Sequence, residues 1–141
     1  MAGFNYKEYL RDNPLLKEGK YEEFLEKEQD IFTQKPSYND YIKQVEPIIP
    51  KNDKSSIWLF NHHAAEMAWE ENKKSQAKKH IELAMKNNIG NSITFVLDFI
   101  INNKGTKEEL LQGINQMIPN KTEKETALQL LDDPKYGGKL K

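Results

Sequence analysis

Along the chain, apolar residues recur three and four positions apart in short runs, each stopped by proline, glycine or asparagine. This is the pattern of successive amphipathic helices. A first turn or two spans Tyr6 to Asp12 and stops before Pro14. A second run, from about Tyr21 to Phe32, sets Tyr21, Phe24, Leu25, Glu28, Ile31 and Phe32 on one side and ends before Pro36. Ser37, with Asp40 three residues on, caps a third helix carrying Tyr38, Tyr41, Ile42 and Val45, which the stretch from Pro47 to Pro50 breaks.

A longer helix begins near Lys54, with Asn52, Asp53 or Ser55 as its cap, and runs to about Asn72 through Ile57, Trp58, Phe60, Ala64, Ala65, Ala68 and Trp69. Ser75 caps the next, to about Asn88, and Gly90 supplies the positive-φ stop. Asn91 or Ser92 opens a segment through Phe95, Val96, Phe99 and Ile100 that Gly105 closes. Thr106 with Glu109, and Thr122 with Glu125, read as capping boxes of two further helices, which end before Pro119 and Pro134. Short loops between such helices force antiparallel neighbours. The first helices of successive pairs start near 57, 91 and 122, a repeat-like spacing.

Composition supports an all-α chain with a thin core. Hydrophobic residues make up 37% of the 141, against about 45–50% apolar in ordinary globular domains. Thirteen Leu and 12 Ile stand against only 2 Val, leaving little β-branched material for a sheet. The length suits one domain: residues 1–134 read as a single helical unit, with acidic helices over 1–53, helical hairpins over 54–134 and a flexible basic tail over 135–141. No cysteine is present, which removes disulfides and thiolate chemistry. With no leader-like or membrane-spanning run, a soluble cytoplasmic protein is expected.

The stretch from Trp58 to Gly90 resembles a tetratricopeptide repeat, a helix-turn-helix unit that stacks into a superhelix. Ala65 stands at the small position of the first helix, Asn72 at the turn, and Ala77, Ile81 and Ala84 reproduce the small, large, small pattern of the second. Asn61 and Ala68 depart from the family's aromatic preferences, and Asp98 and Phe99 depart from it in the next unit. The resemblance implies a short α-solenoid of stacked antiparallel hairpins; a compact irregular helical bundle is the alternative. It also implies a peptide groove at Leu59, His62, Glu66, Trp69 and Glu70, an aromatic anchor beside acids, suited to a partner that brings apolar and basic side chains.

Catalytic signatures are missing. No serine sits in a Gly-flanked elbow, and the seven glycines make no phosphate-binding loop. His62 or His63 with Glu66 offers two metal ligands on one helix, and His80 is the only other histidine. Two ligands do not make a site, so neither metal nor cofactor is expected, and a metal-dependent helical enzyme stands only as a third alternative. Packing of His62 against Trp58 and Trp69, with His63 in solvent, is the plainer expectation. Lys73, Lys74, Lys78, Lys79 and Lys86, against the single acid Glu82, form a patch that could meet a nucleic acid or an anionic membrane. With one arginine among 21 basic residues, base or phosphate recognition by paired hydrogen bonds is disfavoured. The acidic run from Lys20 to Asp30 could complement that patch within the chain or in a second copy, so a homo-oligomer stays open. The expected function is therefore non-enzymatic: a protein-interaction module, of adaptor, chaperone-like or inhibitory type, with polyanion binding as the alternative.

Overall fold

The computed structural model describes residues 20–87 and 91–141. The expected turn at Tyr6 to Asp12 and the Gly90 stop lie outside the described residues. Within them the protein is all-α: seven helices and no strand. They are α1 (Lys20–Phe32), α2 (Tyr38–Val45), α3 (Lys54–Glu70), α4 (Lys74–Lys86), α5 (Ser92–Ile101), α6 (Lys107–Met117) and α7 (Lys121–Asp132), with 3-10 turns at Glu46–Ile48 and Gly137–Lys139.

Polar caps set most helix starts by satisfying amides that have no intrahelical partner. Ser37 accepts from the Asp40 amide, Asp53 from Ser56, and Asn91 from Ile93 and Thr94. Thr106 and Glu109 form the full reciprocal capping box. Two expected caps are corrected. Ser75 lies inside α4, whose N-cap Lys73 makes no side-chain cap, and Thr122 lies inside α7, which Asn120 caps through the Glu123 amide.

Asparagine ends two helices. Asn72 (φ 61°) follows α3, and the next amide, Lys73, reaches back to the Ala68 carbonyl at 2.8 Å. Asn103 (φ 49°) does the same after α5, where Lys104 bonds Phe99. Asn is among the few side chains that enter the left-handed region at small cost. Gly105, expected to close α5, lies beyond this turn; a Cβ there would stand 2.8 Å from the Phe99 ring.

Helix α3 is buried on every side, from Trp58, Leu59 and Phe60 through Ala64, Ala65 and Ala68 to Trp69. Its most extensive partner is α4, joined to it by a short turn as an antiparallel hairpin. Ala65, Ala68, Ala77 and Ala84 are all fully buried, as close approach of two helix backbones requires. Helices α1 and α2 cover another flank of α3, and Glu71 at its end accepts the first amide of α2, from Tyr38, at 2.7 Å. Helix α5 lies against α4. By contrast α6 leans on α7 and only grazes α5, so the second pair does not close as α3 and α4 do.

The segment 135–141, expected to be a flexible tail, is packed. Tyr136 and Leu140 are buried, and the Lys141 carbonyl accepts the Lys107 amide at the start of α6 at 2.8 Å. Gly137 makes this path possible, because a Cβ on it would lie 1.9 Å from the Leu131 carbonyl oxygen. Lys135 and Lys139 keep the segment basic, but Tyr136 and Leu140 turn it inward.

Close packing at Ala84 sets a stability test. Ala84→Leu adds volume where no space exists and is expected to destabilise by about 1–3 kcal/mol, read as a lower denaturation midpoint with an unchanged slope.

Candidate functional site

Three polar clusters hang on α3, and each ties it to a different neighbour. On the α5 side, the Trp58 indole N–H donates to Thr94 Oγ1 at 2.9 Å, and Thr94 Oγ1 lies 2.8 Å from His62 Nδ1. The far ring nitrogen, Nε2, meets Glu66 Oε1 at 2.7 Å. Thr94 can accept from the indole while donating to His62, which leaves the proton on Nε2 for Glu66. Burial alone would raise the Glu66 pKa, but its hydrogen bond to His62 and, once the rings are protonated, the charges of His62 and His63 outweigh that and hold it below the ordinary carboxylate value.

Toward α4 and α2, Asn61 donates its amide to the Ile57 carbonyl, which turns its oxygen to His80 Nδ1 at 2.9 Å. His80 Nε2 then accepts the Tyr38 hydroxyl at 2.7 Å. Both bonds are met by a neutral ring. Burial lowers the His80 pKa to about 4, with the Lys79 charge acting in the same direction.

Toward α1, Glu28 is fully buried, and its Oε2 accepts the Tyr41 hydroxyl at 2.6 Å and His63 Nδ1 at 2.5 Å. Phe32 stacks on the His63 ring at 4.0 Å. His63 is thus half-buried and paired with Glu28, not solvated beside Glu66 and Glu70 as expected. Burial raises the Tyr41 pKa far above its ordinary value, with the Glu28 charge and hydrogen bond adding to it. In the sequence Glu28 stands as one member of an apolar stripe. An acid at a core-facing position was the signal that it needed a buried partner.

The residues expected to form a peptide groove meet a different environment. Leu59, His62 and Trp69 are each only 7% exposed. Their face is not open: Trp69 Nε1 donates to the Lys135 carbonyl at 2.6 Å, Lys139 Nζ lies 5.1 Å from the Trp69 ring centre, and Lys135 Nζ is 3.8 Å from Glu70. Burial raises the Tyr136 phenol pKa, and the charges of Glu66 and Glu70 beside it act in the same direction. The acids and Trp69 lie together at the end of α3, and the chain's own segment 135–140 covers them.

Among the described residues, no group of three or more His, Cys, Asp or Glu stands close enough to hold a metal ion. Lys74, Lys78, Lys79 and Lys86 are exposed on α4, and Lys73 is partly covered at its start. An apolar concavity of about 430 Å³ lies elsewhere, between α5 and α6. Phe95, Val96 and Phe99 form one wall, and Leu110, Gly113, Ile114, Met117 and Ile118 the other. Phe95 is 45% exposed and Met117 64%. Helix α5, apolar on nearly all sides, carried the signal: an inward face of Val96, Leu97 and Ile100 leaves Phe95 and Phe99 for an outer one.

Comparison with protein-family models, with curated proteins and with solved structures finds no match. No helix among the described residues is long and apolar enough to cross a membrane.

Two outcomes test the clusters. Glu28→Ala leaves His63 and Tyr41 without their buried partner and should cost about 3 kcal/mol in denaturant unfolding. His80 is held neutral in the fold, whereas in the unfolded chain it takes a proton below its ordinary value of 6.5. Its contribution is therefore full above about pH 6.5 and is lost as pH falls toward about 4. The stability advantage of the native protein over His80→Asn should narrow across that window.

Proposed function

We propose that this protein is a non-enzymatic protein-interaction module that receives an apolar segment of its partner in the α5–α6 groove. The observation that carries this reading is the pair of large side chains, Phe95 and Met117, standing in solvent at the mouth of an apolar cavity. Exposing such groups opposes solubility and makes a natural contact for another chain. The groove's size falls in the usual range for binding clefts, and its walls, built of Phe, Ile, Leu and Met, adapt to a helix or an extended strand. Among the described residues the one ionisable group on the lining is Glu109, already engaged in the α6 capping box, so what they offer there is surface and not reaction chemistry.

The polyanion alternative uses Lys73, Lys74, Lys78, Lys79 and Lys86 and would bind with steep salt dependence. A paired substitution separates the two. Phe95→Asp with Met117→Asp touches exposed positions and should leave the helical content and the unfolding transition near native. Partners retained by the native protein at 200 mM salt should be lost from this variant. Equal retention by both proteins would remove the groove from the function, and retention that disappears between 50 and 200 mM salt would favour the lysines.

A further inference from the structure

Residues 135–140 lie on the C-terminal end of α3 in the manner of a bound peptide. The Trp69 indole N–H reads a backbone carbonyl, that of Lys135, at 2.6 Å, which fixes register without regard to side chain. Glu70 faces the Lys135 ammonium at 3.8 Å, and its charge lies near the Tyr136 phenol. Lys139 Nζ lies over the Trp69 ring at 5.1 Å and donates to Asn72 Oδ1 at 3.5 Å. Tyr136 and Leu140 give the apolar contact, at 4% and 8% exposure. Between them Gly137 passes where no Cβ fits, against the Leu131 carbonyl, and Gly138 follows with a tight 3.3 Å from a Cβ to the Asp133 carbonyl oxygen.

The two halves of this contact differ in kind. Tyr136 and Leu140 enter the core, whereas Lys135 and its acid Glu70 are 64% and 43% exposed, where ion pairs add little to folding. Charge arranged at the rim of an aromatic anchor instead selects among segments by complementarity. We infer that the Trp69–Glu70 end of α3 is a peptide-recognition site, filled in cis by residues 135–140, that takes in trans an extended segment of another protein ordered basic, aromatic, small, small, basic, aliphatic. This site is separate from the α5–α6 groove and stands or falls without it.

Occupation in cis keeps the native site closed, since a tethered segment acts at an effective concentration of order mM. The test therefore weakens the tether in the full-length chain. Gly137→Ala forces the segment off the Leu131 carbonyl, and Lys135→Glu with Lys139→Glu turns its rim contacts repulsive. The probe is a synthetic peptide of residues 133–141, and the readout is the Trp69 indole N–H signal in a ¹H–¹⁵N spectrum, with Trp58, bonded to Thr94, as internal control. In either variant that keeps a cooperative unfolding transition, the Trp69 signal should shift from its native position and return as peptide saturates the site. Glu70→Lys added to that variant should weaken peptide binding at least fivefold, and the native protein should not respond to peptide at the same concentrations. Failure of the peptide to restore the signal in a folded variant would overturn the proposal. So would loss of cooperative unfolding in both variants, which would make the segment a fixed part of the core.

Discussion

A hydrogen-bonding group taken out of water must find a partner or cost more than the bond it would have made. Helix α3 runs through the middle of the molecule carrying Trp58, Asn61, His62, His63 and Trp69, and these five groups are answered from four different elements. Thr94 answers from α5, His80 from α4, Glu28 from α1 and the Lys135 carbonyl from the segment after α7. Tyr38 and Tyr41 of α2 close the second and third of these links. For a chain with 37% hydrophobic residues, this arrangement supplies what apolar area alone does not: a reason for each helix to sit in one position and no other.

The same constraint bears on chemistry. All three histidines have a ring nitrogen committed within the fold, His62 between Thr94 and Glu66, His63 to Glu28, and His80 between Asn61 and Tyr38. Groups held this way orient helices. Between α5 and α6, by contrast, the helices separate around an apolar groove that none of these clusters spans.

Local rules carried much of the fold. Ser37, Asp53, Asn91 and Thr106 announced their helices because a cap is a contact between near neighbours in sequence. The alanines at 65, 77 and 84 announced a close helical hairpin for the same reason, since their spacing is a property of one face. What could not be read was long-range. The apolar spacing of α1 places Glu28 on the core side, but it does not name its partners, which lie in α2 and α3. Asp98 departs from the repeat pattern in the sequence, yet it is buried, with Asn102 and Lys104 bonded to it. The basic, glycine-containing stretch at 135–141 had every mark of an unstructured tail, and only the room beside Leu131 and the indole of Trp69 decide otherwise.

The bond from the Lys107 amide to the Lys141 carbonyl joins the first residue of α6 to the residue that follows Leu140. Helices α6 and α7 thereby sit inside a loop clasped at both ends by backbone, with Gly137 wedged on α7 from within it. Amide exchange should treat this loop as one unit. The α6 amides would gain access to solvent when the clasp opens, together with those of residues 136–140, instead of fraying turn by turn. One wall of the apolar groove is then as durable as a contact made on the far side of the molecule, where Trp69 holds the backbone of Lys135.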